Sequence, residues 1–468
     1  MKKEQNRHSF SGSLGFVLAA AGSAVGLGNI WRFPYLAAKD GGGLYLLIYL
    51  ILALTFGFAL LTTEIAIGRK TKQSPLTAYG KLKEKWGFLG ILACLVPVII
   101  MPYYCVIGGW VVKYFAAYLT GEGKSAAADG YFTNYIASVE QPLIFMILFL
   151  LVVSFIIFRG VNRGIESFSK VLMPLLLLMV VGIAVFSITI QYTDESGVTR
   201  TGLEGLWIYV IPNLKGLTVK GFFTVLLDAM GQLFFSLSVA MGIMIAYGSY
   251  VRDDANLMRS INQIEIFDTA VAFLAGVMII PAVYTFMGRE GMEASGPSLM
   301  FVSLPKVFDS MGRIGNLIGG LFFAMVLFAA LTSAVSVMEA VVSSLMDQFH
   351  MSRVKATVLE TAIALAGGVF VCLGYNKLYF DLVLPNGAHA QILDIMDYIS
   401  NNCLMPLVAI GTCILVGWII LPKTVIEEVE KTGCRFRRKH LYIVMIRYIA
   451  PTLLVILLLK SIGLLKAI

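Results

Sequence analysis

The stretch Gly22-Ser23-Ala24-Val25-Gly26-Leu27-Gly28-Asn29-Ile30-Trp31-Arg32-Phe33-Pro34 decides how the chain folds. It lies in an apolar run long enough to cross a bilayer, yet it carries three glycines, an asparagine and an arginine at depths where each polar group needs a partner. Close helix packing accounts for part of this, since Gly22 and Gly26 have small-xxx-small spacing. It does not account for Arg32, whose guanidinium needs a carboxylate or water and so points to an aqueous cavity. If the helix unwinds over Val25 to Gly28, its outer half offers free N–H groups and a positive dipole end to an anion. The freed carbonyls can then bind cations. A zwitterion and a sodium ion would sit side by side at such a break.

The rest of the chain has the same solvent. Of 468 residues, 58% are hydrophobic and 14% charged, with a mean hydropathy of +0.83, which excludes a water-soluble globule. Apolar runs fall near 13–36, 43–68, 88–119, 140–158, 165–190, 221–249, 259–287, 315–345, 356–374, 394–421 and 441–465, about eleven spans. The net charge of +8 is no nucleic-acid footprint, because Lys and Arg sit in short loops between these runs. A cytoplasmic N-terminus gathers most of them inside, Arg435, Arg437, Arg438 and Lys439 included, and an odd number of spans puts the C-terminus outside. Lys2, Lys3 and Arg7 precede the first run without a cleavage signature, so that run reads as a retained span.

The expected organisation is a cytoplasmic N-terminal gate segment 1–12 and a first five-span repeat 13–190. An external loop 191–220 leads to a second repeat 221–421, then a basic cytoplasmic loop 422–440 and an eleventh span within 441–468. The external segment 288–314 carries a further apolar run and is expected to dip toward the membrane as a lid. No N-x-S/T sequon occurs, in keeping with a bacterial cell (inner) membrane. The six cysteines are scattered, mostly in apolar runs, and no two of the four histidines share metal-site spacing. With no nucleophile–histidine pair the chain is not read as an enzyme, and with no ring-forming filter motif it is not read as a channel.

A second interrupted span supports the first. The sixth reads Gly231-Gln232-Leu233-Phe234-Phe235-Ser236-Leu237-Ser238-Val239-Ala240-Met241-Gly242, with an amide and two hydroxyls across its middle. Broken first and sixth spans at matching positions of two five-span halves are the mark of an inverted repeat. The fold class is therefore all-α and polytopic, with discontinuous first and sixth helices.

These residues resemble the neurotransmitter:sodium symporter family, in particular its bacterial amino-acid transporters of the LeuT fold. The likeness runs from Gly26-Leu27-Gly28-Asn29-Ile30-Trp31-Arg32-Phe33-Pro34-Tyr35 through Glu64, Tyr103-Tyr104, Gln232 to Ser238, Ser249-Tyr250-Val251-Arg252, Leu331-Thr332-Ser333 and Asp397. It implies two sodium sites. The one touching substrate would use the Ala24 carbonyl, Asn29, Ser236 and Asp268, an all-oxygen shell that suits a hard cation. The other would use carbonyls of Gly22, Val25 and Ala329 with the hydroxyls of Thr332 and Ser333. On their own, those two hydroxyls would be read as bonding back to their own helix. Chloride-dependent members have Asn at the position of Asp268 and Ser where this chain has Ala272, so a fixed carboxylate stands in for chloride and chloride is not expected.

Gly26 lies where monoamine carriers of the family have an Asp, which leaves room for a substrate carboxylate and implies an amino acid. That carboxylate would meet the N–H groups of Leu27 and Gly28 and the Tyr104 hydroxyl. Ile100, Tyr104, Phe235, Ser238, Met241, Ser333 and Val337 match the side-chain pocket. Met241 replaces a rigid aromatic wall of the leucine-preferring type, so the substrate is expected to be hydrophobic or aromatic, tryptophan- or tyrosine-like. Carriers of branched or small neutral amino acids, proton-coupled carriers and exchangers remain alternatives. Asn29, Ser236, Thr332 and Ser333 favour sodium, since proton carriers commonly place Lys or Arg at the second ion. A monomer or weak homodimer is expected.

Arg32 and Asp397 match the family's outer gate, with Tyr104 and Phe235 as the lid. Arg7 and Asp347 match the inner gate, with Ser249 and Tyr250 in support and Phe10 packed against it; Arg7 read alone is simple topology charge. Such pairs are individually weak, as contacts broken in every cycle must be. Glu64 is expected to bond N–H groups of the unwound segments, and Glu339, where the family often has Gln, to titrate or pair near the inner gate. Gly164 and Pro174 resemble a pattern with which some bacterial relatives unwind the inner half of span five; an ordinary kink is the plain alternative. Val239-Ala240 departs from a position where the family often has Gly, which weakens the case for unwinding span six.

Overall fold

The computed structural model describes residues 9–194, 196–292 and 296–465. Among these, nine helices are long and apolar enough to cross a membrane: Gly43–Thr71, Glu84–Leu119, Glu140–Phe158, Val161–Thr189, Leu257–Gly291, Gly312–Phe349, Arg353–Leu373, Ile392–Ile419 and Lys439–Ser461. The first span is a bent pair, Ser13–Ala24 and Gly28–Lys39, set at 52° across the break. The sixth is split into Val219–Ser236 and Ile243–Ser249, each too short or too polar to qualify alone. Counting the split spans once gives eleven, all helical, in the LeuT-type arrangement.

Burial sorts the spans. In Gly312–Phe349, the eighth, 78% of the hydrophobic window is buried, against 28% in the last span, Lys439–Ser461, so the former is central and the latter faces lipid. The eighth span packs along the third, and the inner half of the sixth packs along the second. Gly68 and Gly248 make that second contact possible: a Cβ on Gly68 would lie 2.1 Å from the Ile245 carbonyl oxygen, and one on Gly248 2.4 Å from that of Ile65.

Both expected breaks are present. Span one loses its helix at Val25 and resumes through a wide π-type turn, Gly28–Arg32. Span six unwinds after Ser236, with positive φ at Ser238 (53°), Ala240 (61°) and Gly242 (73°). The alanine does not keep span six wound. It accepts the left-handed conformation because its N–H is held by Glu64, whose Oε1 is 2.6 Å away. Span five begins with a π-type turn, Val161–Glu166, and runs on as Ser167–Thr189 through Pro174 without a break.

Outside the spans, 191–220 folds as a hairpin, Gln191–Thr193 paired with Thr199–Thr201, followed by the helix Gly202–Val210 capped by Thr201 and Glu204. Residues 296–310 are helical and insert Phe301, which stacks on Phe132 at 5.1 Å and closes edge-on against Trp110. The segment expected to dip inward therefore does so, fixed by a hydrogen bond from the Tyr114 hydroxyl to the Phe301 carbonyl (2.7 Å). The stretch after span ten holds a short helix, Lys423–Glu430, tied to the second span by the buried pair Arg69–Glu428 (2.7 Å).

Candidate functional site

The two breaks face each other across a cavity lined by Ser23, Ala24, Gly26, Gly28, Asn29, Ile100, Tyr104, Phe235, Ser236, Ser238, Met241, Ser333 and Val337. Apart from Leu27, every residue expected from the sequence to touch substrate lines it. Two glycines create the space. A Cβ on Gly26 would stand 2.8 Å from Ser333 Oγ and 3.5 Å from the Tyr104 hydroxyl, and one on Gly28 would strike the Phe235 ring at 2.7 Å. The Tyr104 hydroxyl is buried with no hydrogen-bond partner among the described residues, a donor aimed at the notch that Gly26 leaves. An unpaired buried donor costs about 1–3 kcal/mol unless something accepts from it.

One side of the cavity is polar. Asn29 donates from Nδ2 to Asp268 Oδ1 at 2.8 Å. Ser236 Oγ lies 2.9 Å from Asn29 Oδ1 and 2.8 Å from Asp268 Oδ1, its single proton shared between them. Asp268 is fully buried, its neighbours here are neutral, and its Oδ2 has no partner among the described residues. A carboxylate so placed is stable only with a cation beside it. Asp268, on the face of span seven turned to Asn29 and Ser236, thus joins their side-chain oxygens at one side of the cavity that Ala24 also lines. Gln232 supports it, donating to the Gly28 carbonyl at 3.0 Å while its own Oε1 stays unpartnered.

Of the second expected ion site, Gly22, Thr332 and Ser333 come together. Ser333 Oγ reaches across to the Ser23 carbonyl at 3.1 Å and that of Gly22 at 3.4 Å. A Cβ on Gly22 would lie 3.3 Å from Thr332 Cβ, so span one and span eight approach closely here. Thr332 bonds back to the Phe328 and Ala329 carbonyls, both at 3.0 Å, as a helical threonine commonly does. Val25, with its non-helical ψ of 84°, leaves carbonyls at the end of the inner half-helix without helical partners.

The gates divide. At the end bearing the N-terminal segment, the Tyr250 hydroxyl donates to Glu339 Oε1 (2.6 Å), which also takes Arg353 NH2 (2.8 Å), while Arg353 NH1 binds Oε2 (2.7 Å). Phe10 donates its N–H to the Tyr250 carbonyl (3.1 Å) and packs edge-on against that ring and Tyr247. Asp347 accepts the Ser74 N–H at 2.6 Å, and Arg7 lies outside the described residues. Ser249 bonds its own helix through the Ala246 carbonyl and does not reach the gate by a side-chain bond among the described residues.

At the far end the expected pair is not formed. Asp397 takes the Tyr103 hydroxyl (3.1 Å) and Asn401 Nδ2 (2.6 Å), and no ion pair joins it to Arg32 within 4.0 Å among the described residues. Arg32 instead lines a separate cavity with Asp228, Asn401, Asn402 and Lys460. The neutral donors of spans three and ten satisfy Asp397 where it stands.

Sequence reasoning missed three groups. Arg353 reads as one more loop charge at the start of span nine. Asp228 links span six to Lys39 (3.0 Å) and Lys460 (3.4 Å). Glu166, buried at the start of span five, holds the Ser11 N–H at 2.9 Å, its hydroxyl, and Lys170 at 2.7 Å. The signal available was a charged residue inside an apolar run, which for Asp228 and Glu166 warranted asking for a partner.

The model of the sodium:neurotransmitter symporter family matches residues 7–134 and 130–468. The chain belongs to that family. It is 33% identical over 433 residues to an uncharacterized sodium-dependent transporter of Haemophilus influenzae, covering 89% of this chain and 90% of that one. To a second, YhdH of Bacillus subtilis, it is 32% identical over 473 residues, 99% of each. Among solved structures it matches MhsT in complex with L-phenylalanine, with a TM-score of 0.85 and 34% identity over 97% of this chain and 100% of that one. The chain is thus a sodium-dependent transporter of the LeuT fold, embedded in a membrane and with bacterial relatives.

Proposed function

We propose that this sodium symporter imports a neutral amino acid with a large apolar, chiefly aromatic side chain, by alternating access and without chloride. The observation that carries the reading is the joint site: a notch at Gly26, edged by the unpaired Tyr104 hydroxyl, beside the cage of Asn29, Ser236 and Asp268. Substrate carboxylate and sodium would neutralise each other there, while the ammonium meets carbonyls of the two unwound segments. The cavity sets this polar side against an apolar one, as small-molecule sites do. Ile100, Phe235, Met241 and Val337 give its other end an apolar wall, and Met241 can move aside for a ring. Phenylalanine bound to MhsT supports the same size class.

Two sodium ions are proposed, the second held by Gly22, Val25, Ala329, Thr332 and Ser333. Asp268 supplies the fixed negative charge at the first, which is the basis for chloride independence. The N-terminal end is proposed to face the cytoplasm of a bacterial cell, and the protein to act as a monomer or weak homodimer. Thermal stabilisation by each amino acid, with sodium or with an inert cation, tests the reading. Tryptophan, tyrosine and phenylalanine should stabilise only with sodium, and transport into proteoliposomes should persist when gluconate replaces chloride. Leucine or alanine outcompeting the aromatic amino acids would overturn the aromatic preference. Stabilisation indifferent to sodium would overturn the joint site.

A further inference from the structure

Residues 431–440 precede the last span and read Lys-Thr-Gly-Cys-Arg-Phe-Arg-Arg-Lys-His. Topology alone asks only that such a segment be basic. The structure shows something more ordered, an alternation of side chains turned inward and outward. Phe436 is buried against Phe58 and Tyr442. Arg438 also points in: its guanidinium lies 3.4 Å from the centroid of the Phe58 ring and binds Glu265 (2.8 Å), Asn262 (2.5 Å) and the Leu54 carbonyl (3.2 Å). Flanking and separating these anchors, Arg435, Arg437 and Lys439 are exposed, and no side-chain bond or ion pair engages them among the described residues.

The depth of this triad is set by its neighbours. Trp418, at the end of span ten, and Tyr448, inside the last span, are 54% and 52% exposed and meet edge-on at 5.6 Å. Arg435, Arg437 and Lys439 stand at the start of Lys439–Ser461, a helix long and apolar enough to cross the membrane, and so at the level of lipid headgroups. We propose that Arg435, Arg437 and Lys439 form a docking surface for anionic phospholipid headgroups. The occupant is a lipid because three exposed cations without ion-pair partners among the described residues stand at the membrane boundary, each adding to the attraction of an anionic surface, while the nearby Glu430 carboxylate is taken up by the Phe436 N–H at 3.2 Å.

The surface is joined to the gate. Lys431 pairs with Asp253 at 3.3 Å, Asp253 pairs with Lys72 at 3.0 Å, and Lys72 donates to the Val251 carbonyl at 2.6 Å, one residue past Tyr250. Partial burial works to raise the Asp253 carboxyl, but the bonds to Lys72 and Lys431 outweigh it and hold it below the usual carboxylate range, so this chain of contacts is ionised and intact at neutral pH. Lys431 thereby ties the basic segment to the backbone beside Tyr250. The inference rests on the membrane location and not on any substrate.

The test uses the purified full chain in neutral detergent, titrated with phosphatidylglycerol or phosphatidylcholine bearing the same brominated chains, with quenching of Trp418 as the readout and W418F as the blank. Phosphatidylglycerol should quench at lower mole fraction, and each cation removed should weaken it by roughly five-fold. The triple variant R435Q/R437Q/K439Q should lose the preference, R437E alone should weaken it, and a far-end triple, K215Q/K220Q/K377Q, should keep it. All substituted side chains are exposed, and unchanged melting in phosphatidylcholine checks that the variants fold. A preference retained by the triple variant, or lost equally in the far-end control, would overturn the proposal. So would displacement of the lipid by soluble glycerol phosphate at equal concentration, which would mark a site for free phosphate.

Discussion

The two ends of the substrate cavity are built to opposite plans. Toward the N-terminal end, Tyr250, Glu339 and Arg353 form one hydrogen-bonded unit within 2.6–2.8 Å, with Glu339 fully buried. Toward the far end, Arg32 and Asp397 stand apart, Asp397 satisfied by Tyr103 and Asn401 and Arg32 facing a polar cavity. One gate is closed by a buried charge pair that is costly to break, while at the other the Asp397 carboxylate is held only by the neutral donors of Tyr103 and Asn401. An alternating-access carrier waiting for substrate from the far side needs that asymmetry: firm closure behind the site and a loose approach in front of it.

The largest effect should come from breaking the firm side. Removing the carboxylate in Glu339→Ala strands Arg353 and the Tyr250 hydroxyl, and the loss of one partner of a buried pair costs about 3 kcal/mol or more. Melting should fall accordingly, and a cysteine introduced beside Phe10 should become accessible to reagents at the N-terminal end. Replacing both partners, as in Glu339→Met with Arg353→Met, should recover much of the stability, because no unpaired charge remains. A double variant no better than the single would show that the pair acts through something other than its charges.

The loose side should respond far less. Asp397→Asn keeps a polar group for Tyr103 and removes a charge that no ion pair uses directly, so melting without substrate should shift by less than about 1 kcal/mol. A loss as large as that of Glu339→Ala would mean that the far gate is as firmly built as the near one, and the comparison would fall.

Between the gates lies the hinge. Ala240 sits at φ 61°, a conformation that costs a residue with a Cβ about 1–2 kcal/mol and glycine almost nothing. Ala240→Gly should relieve that strain, partly offset by the greater freedom of glycine in the unfolded chain, for a net gain of up to about 1 kcal/mol. It should also let span six pivot more readily and so narrow the difference in reactivity between cysteines at the two ends. Unaltered melting with unaltered reactivity would show that Glu64, and not the residue type, sets the conformation.

What was legible in the sequence follows from what periodicity and polarity encode. A glycine-rich break with Arg32 in an apolar run announces itself, because hydrocarbon tolerates neither without a reason. Span limits were legible to a few residues, and the residues expected around the cavity are those the fold brings together, save that Leu27 does not line it. Pairings between spans were less visible, because an apolar run does not fix the rotation of its helix. Asp268 was placed only through likeness, and the structure turns it to Asn29 and Ser236. Arg353 was indistinguishable from a topology charge until Glu339 stood opposite it. The expected break of span six is present despite Val239-Ala240, and what holds it open at Ala240, the Glu64 carboxylate, comes from a helix far away in sequence.

The smallest expected effect is a dependence on pH at the far end. Asp40 follows the first span and lies beside Lys39 (3.8 Å), close to the Asp228 that bridges Lys39 and Lys460. Burial, and then the negative charge of Asp228, push its carboxyl up to about 6, against the pull of Lys39 and Lys460. A carboxyl raised in the folded state contributes stability that is fully present below its unfolded value near 4 and is lost as pH rises through about 6. Far-end packing should therefore be tightest in mild acid and slacken toward neutral pH, the reverse of the Asp253 contacts at the other end, which weaken only as pH falls. In Asp40→Asn the side chain stays neutral, so the decline in melting temperature between about pH 4 and 6 should shrink relative to the parent. Equal slopes in parent and variant would assign the pH response to other groups. A steeper slope in the variant would mean that Asp40 is held charged by its lysines, and that the far end is more firmly tied than its open pair of gate residues suggests.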